Sequence, residues 1–117
     1  MHNIITYTSC VKTLVTDSAR YEIIQSSIKR ALTFKLDKFT GRIWEVVETA
    51  SGGLIWEYMY VEDRTSILGD DNTLYPRFQI FLSGMMAADT YLLDTKTGTV
   101  WQLQKDKDGF RAWYLMQ

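Results

Sequence analysis

The chain is built from one unit used twice. Displaced by 57 positions, residues 20–60 lie on residues 77–117 without a gap, and at least twelve of the 41 aligned positions are identical. Chance agreement at ordinary composition is about two or three. The identities include Arg20/Arg77, Ile23/Ile80, Asp37/Asp94, Thr40/Thr97, Gly41/Gly98, Trp44/Trp101, Trp56/Trp113 and Met59/Met116. Conservative pairs such as Tyr21/Phe78, Phe34/Tyr91 and Ile43/Val100 lie between them. Any fold for this chain must therefore be assembled from two similar modules. The organisation read from this is a single domain, 1–117, with repeat 1 at 20–60, a linker at 61–76 and repeat 2 at 77–117.

Each repeat alternates apolar and polar residues with period two in short β-branched and aromatic runs, the pattern of half-buried strands. In repeat 1 these runs are 20–26, 32–37, 42–48 and 54–61, and repeat 2 follows the same order. The expected fold is all-β: two tandem four-stranded antiparallel meanders related by a pseudo-twofold repeat. They pack as a sandwich, an open barrel or a propeller-like pair of blades. Helical periodicity is weak, and the best candidate for a helical turn is 10–18.

The second and third strands of each unit are joined by Asp37-Lys38-Phe39-Thr40-Gly41 and Asp94-Thr95-Lys96-Thr97-Gly98. Asp at the start of a turn accepts hydrogen bonds from the turn's own backbone, and Gly at its end takes positive φ. A three-residue loop with a bulge places Leu36 opposite Arg42 and Phe34 opposite Trp44. Phe34, Leu36, Trp44 and Val46 are then expected on one face.

The run Tyr91-Leu92-Leu93-Asp94-Thr95-Lys96-Thr97-Gly98-Thr99-Val100-Trp101 resembles a quinoprotein-type β-propeller repeat. That resemblance implies that the turn joins two strands of a blade and that Trp44 and Trp101 dock neighbouring blades. The tryptophan stands three positions after the glycine, where that family usually has four. The segment is also similar to short bacterial and phage proteins of unknown function with a Leu-Leu-Asp-x-x-Thr-Gly-x-x-Trp pattern. Neither resemblance implies an active site.

Composition narrows the function. The 117 residues carry 16 aromatics, and 14 of them fall within the repeats, so the aromatic excess belongs to the repeated unit. The formal charge of −1 offers no general attraction to double-stranded nucleic acid or to an anionic membrane. One Cys and one His leave no disulfide framework and no zinc ligand set. No metal or cofactor is expected. Neither a signal peptide nor a membrane-spanning run is evident, which points to the cytoplasm.

Candidate ligand-binding residues are Arg20, Arg77, Trp44, Trp101, Trp56 and Trp113, because arginine beside tryptophan can bind a phosphate or stack on a base. The competing reading for Arg20 and Arg77 is a salt bridge to Asp37 or Asp94 that pins the turn. Candidate interface residues are Met85 and Met86 on an apolar hairpin tip, with Trp113 and Met116 on the last strand. Glu45 and Glu57 lie on adjacent strands opposite the tryptophans. A solvated sheet face explains them better than acid/base catalysis.

The function expected is a non-catalytic binding or assembly module, a homodimer or higher homo-oligomer that self-associates through β edges and apolar loop tips. It would take a protein partner or a small anionic, nucleotide-like ligand, as a phage protein that sequesters a host immune signal would. The alternatives are a purely structural homo-oligomer and a nucleotide-cleaving enzyme.

Overall fold

A computed structural model describes residues 10–12, 15–27, 31–69, 73–82 and 89–116. The short strand β1 (Cys10–Lys12) precedes the first repeat, which forms β2 (Tyr21–Ser26), β3 (Thr33–Asp37), β4 (Ile43–Glu48) and β5 (Leu54–Tyr58). The linker carries the one-turn helix α1 (Arg64–Leu68). The second repeat forms β6 (Phe78–Leu82), β7 (Thr90–Asp94), β8 (Val100–Lys105) and β9 (Arg111–Leu115). The protein is thus all-β, with two four-stranded antiparallel meanders. β1 pairs with β2 and extends the first sheet to the order β1-β2-β3-β4-β5, while the second runs β6-β7-β8-β9. Among the described residues of the expected helical turn at 10–18, Cys10–Lys12 is strand and Ala19 N–H closes a single turn onto Thr16 O at 3.0 Å; the helix lies in the linker.

The turn chemistry is as read, but the loop is one residue longer than expected. Asp37 N–H donates to Arg42 O at 2.9 Å and Gly41 N–H to Asp37 O at 2.8 Å, which leaves four residues, 38–41, in the loop. Phe39 N–H caps Asp37 Oδ1 at 3.0 Å, and Lys96 N–H caps Asp94 Oδ1 at 3.0 Å. Gly41 and Gly98 both sit at φ 78°, where a side chain would be strained. The extra residue shifts the pairing by one, so Leu36 faces Ile43, Lys35 faces Trp44 and Phe34 faces Glu45. A one-residue shift exchanges the two faces of a strand. Trp44 and Val46 therefore stand on the face opposite Phe34 and Leu36, which corrects the expectation that the four share one.

Register is the same in both repeats, with Leu93 facing Val100 and Leu92 facing Trp101. The buried faces are not the same. The first sheet buries Ile24, Phe34, Leu36 and Ile43, whereas the second buries Phe78, Ile80, Leu92, Trp101, Leu103 and Trp113. In the repeat alignment these are opposite faces of one unit. Together they make one apolar cluster between the sheets. Tandem copies packing face to back is a heterologous arrangement, unlike a symmetric sandwich that would bury the same face twice.

Backbone hydrogen bonds stitch the two sheets at both ends. The Lys38 carbonyl accepts from Arg77 N–H and Phe78 N–H at 2.8 and 2.9 Å. At the other end the chain leaves β5 and runs parallel to β9. Trp113 N–H donates to Tyr60 O at 3.0 Å, and Glu62 N–H donates to Trp113 O at 2.9 Å. Leu115 N–H adds a bond to Glu62 Oε1 at 2.8 Å. The outward side of β9, an open edge by sequence, is in its middle occupied by the chain's own linker.

Arg77 and Asp94 form a bidentate pair at 2.8 Å in both contacts, with the Arg77 side chain 2% exposed. Arg20 and Asp37 make the equivalent pair at 3.1 and 3.0 Å, with Arg20 facing solvent. Removing one member of a buried pair strands the other charge, at a cost of about 3–5 kcal/mol. Arg77→Met is expected to lower unfolding free energy by that order and Arg20→Met by far less, as read by urea denaturation. Equal losses would show that the pairs carry equal weight.

Candidate functional site

The outer face of the first sheet gathers the polar and aromatic groups that the structure leaves accessible. Cross-strand pairing sets Lys35 beside Trp44, Trp44 beside Tyr58 and Val46 beside Trp56. The Lys35 ammonium stands 4.6 Å from the Trp44 ring centroid and 5.4 Å from that of Trp56. Trp44 and Tyr58 lie 5.5 Å apart, tilted. Tyr21 and Ile23 of β2 continue the same face. At its rim, the Arg20 guanidinium lies over the rings of Tyr21 and Phe39 at 5.3 and 5.4 Å while it binds Asp37. A cation clamped between two indoles keeps a wet apolar surface partly solvated.

The repeat-related residues of the second sheet are in the core. Leu92 replaces Lys35, and Trp101 is fully buried with its ring 6.3 Å from Phe78 and its Nε1–H donating to Glu62 O at 2.7 Å. Trp113 is fully buried too. Its ring meets Phe34 edge-on at 5.5 Å, and its Nε1–H points at Met59 Sδ at 3.3 Å. Arg77 is closed in by Asp94, Thr73 and the Ile67 carbonyl. The six candidate ligand residues therefore separate. Arg20, Trp44 and Trp56 share one accessible face, while Arg77, Trp101 and Trp113 lie inside. Met116 is exposed at the end of β9, and Met85 and Met86 lie outside the described residues.

Both arginines hold the turn aspartates. Burial on its own would push the Asp37 and Asp94 carboxyls up. Hydrogen bonds from the arginine, the turn threonine and a turn amide overcome this and hold both below the usual 3.8.

Glu45 and Glu57 are cross-strand partners on the face opposite the tryptophans, as expected. Glu57 is exposed, but Glu45 is buried, which corrects the reading of both as solvated. Burial pushes the Glu45 carboxyl up. Arg111 of the second sheet pulls it back, and the Glu57 charge pushes it up further, leaving it above the usual 4.5.

Sequence reasoning missed Lys35 as a member of the aromatic face, and Glu62 as the linker group that holds Trp101 and β9. A signal for Lys35 was present: the second repeat has leucine at that position, so the two faces differ in wetness where the repeats differ in charge. Among the described residues, no helix is long and apolar enough to cross a membrane. Comparison of the chain with protein-family models, curated proteins and solved structures gives no match.

A carboxyl whose folded-state pKa is raised binds its proton more tightly when folded, so stability declines as pH rises through that range. Glu45→Gln removes the buried charge. It is expected to raise the melting temperature at pH 7, with the gain shrinking as pH falls towards about 4.5 and lost below it. A thermal melt series across pH reads this directly. A variant that melts lower at pH 7 would mean that attraction to Arg111 outweighs desolvation.

Proposed function

We propose that this protein is a non-catalytic assembly module that works as a homodimer or higher homo-oligomer. The observation that supports it is the row Leu54, Trp56 and Tyr58 on β5, continued by Tyr21 and Ile23, on the outer side of the first sheet. Every residue of β5 is exposed, and β5 is the last strand of its sheet. A strand end that presents large apolar side chains and open backbone groups attracts another chain. Self-association covers both. Light scattering on the purified protein should give a particle at least twice the chain mass of 13.6 kDa. A monomer at working concentrations would remove this reading.

A second reading is supported by Lys35 between Trp44 and Trp56, with Arg20 at the rim. Aromatic rings with nearby cations suit a flat anionic ligand such as a nucleotide. Saturation at a hundredfold excess over Kd would add about 2.7 kcal/mol of stability. A nucleotide panel in a thermal-shift assay should then raise the melting temperature, and Lys35→Ala should abolish the rise. If none of the panel moves the transition, the surface serves protein association.

A further inference from the structure

The way the two repeats pack inside the chain specifies how a second copy docks. We infer that copies of this chain stack head to tail, the outer face of the second sheet of one copy closing on the outer face of the first sheet of the next. The inference rests on the self-association reading and names its surfaces.

The contact inside the chain is the template. There the first sheet presents Ile24, Phe34, Leu36 and Ile43, and the second presents Phe78, Ile80, Trp101 and Trp113. Because opposite faces of one repeated unit are used, each sheet keeps on its outside the face its partner has buried. At the positions of Ile24, Phe34, Leu36 and Ile43, the outer face of the second sheet carries Phe81, Tyr91, Leu93 and Val100. At the positions of Phe78, Ile80, Trp101 and Trp113, the outer face of the first carries Tyr21, Ile23, Trp44 and Trp56. All eight are apolar or aromatic. A unit whose outside faced only water would not need apolar residues on both faces at core positions.

The details repeat as well. Inside the chain the Phe78 ring lies so close over Gly41 that a Cβ there would sit 2.9 Å from it. The counterparts stand apart. Nothing among the described residues comes within 4 Å of a Cβ built on Gly98, and Tyr21 is 48% exposed at the opposite end of the molecule. Trp113 meets Phe34 and Met59 within the core. Its counterpart Trp56 is accessible on one outer face, and the matching Tyr91 and Met116 border a hollow on the other. That hollow, about 660 Å³, is lined by Tyr91, Thr97, Gly98, Thr99, Val100 and Met116. Five of these six are the counterparts of Phe34, Thr40, Gly41, Ile43 and Met59, residues in or beside the internal contact. One end of the molecule carries the knobs, Tyr21 and Trp56, and the other carries the hole that accepts them.

A contact of this kind uses two different surfaces, so it closes into a ring or runs on as a fibre. Fans of four-stranded sheets close at about four to eight sheets, which corresponds to about two to four copies of this chain.

The test uses two variants on each face and light scattering, with circular dichroism melts to confirm folding. Tyr21→Asp or Trp56→Asp blocks the knobs, and Tyr91→Asp or Met116→Asp blocks the hole. The wild type should form a discrete particle of about two to four chain masses, and each folded variant should be a monomer. Mixing a knob variant with a hole variant restores one intact contact, so the mixture should give a two-chain species that neither gives separately. Variants that assemble like the wild type, or a mixture that stays monomeric, would overturn the head-to-tail contact while self-association stands. A monomeric wild type would overturn both.

Discussion

Trp113 is fixed from every side. Its ring edge meets Phe34 of the other sheet, its indole N–H meets Met59 Sδ, and its backbone N–H and carbonyl are bonded to Tyr60 at the end of the first repeat and Glu62 of the linker. One residue of the last strand thereby contacts the first sheet, the linker and its own sheet. The placement decides which face of the second repeat turns inward. Once the linker lies along β9 in parallel, the face bearing Trp113, Trp101 and Leu103 must look toward the first sheet. The opposite-face packing of the two repeats follows from this strand addition. Replacing such a buried indole by alanine typically costs about 3–5 kcal/mol; here it would also release the linker's grip.

The period-two pattern, the tandem repeat and the Asp-to-Gly turns were all legible in the chain because each is a local property. Asp37 accepting from Phe39 N–H and Gly41 at positive φ follow from residues within five positions of one another. The register was not legible. A three-residue and a four-residue loop both satisfy Asp at one end and Gly at the other, and the choice between them decides whether Trp44 sits beside Phe34 or behind it. Nor could the sequence separate Trp44 from Trp101. They are identical residues in aligned positions, and their different fates are set by Glu62 and by the sheet that arrives, both far away in the chain. The difference is written only in the residue beside each: Lys35 next to Trp44 and Leu92 next to Trp101.

The two salt bridges show the same division between local rule and tertiary context. Both arginines reach their aspartates with two hydrogen bonds. One pair is buried under the linker, where Thr73 and the Ile67 carbonyl complete the donors of Arg77, and the other faces water. The same motif therefore serves as a core element in one repeat and as a rim element in the other. Glu45 is the converse: a residue type usual on a wet face is buried, and the charge of Arg111 in the second sheet offsets only part of the desolvation.

The stitching of the sheets also bears on the order in which the chain can acquire its structure. Within each meander every strand pairs with its neighbour in sequence, so closing those loops costs little entropy. The parallel bridge that pairs Val61 with Trp113, made by the bonds of Trp113 to Tyr60 and Glu62, spans nearly half the chain, and it can form only after β9 exists. Hairpins of low contact order are the fast events of folding, and distant pairings follow them. A molecule laid out this way acquires its two sheets early and its core late. In the interval each sheet shows water two apolar faces, and a neighbouring chain in the same state presents the same surfaces as the tethered partner. The linker makes the internal contact win by proximity, since a tethered sheet is present at far higher effective concentration than a free one.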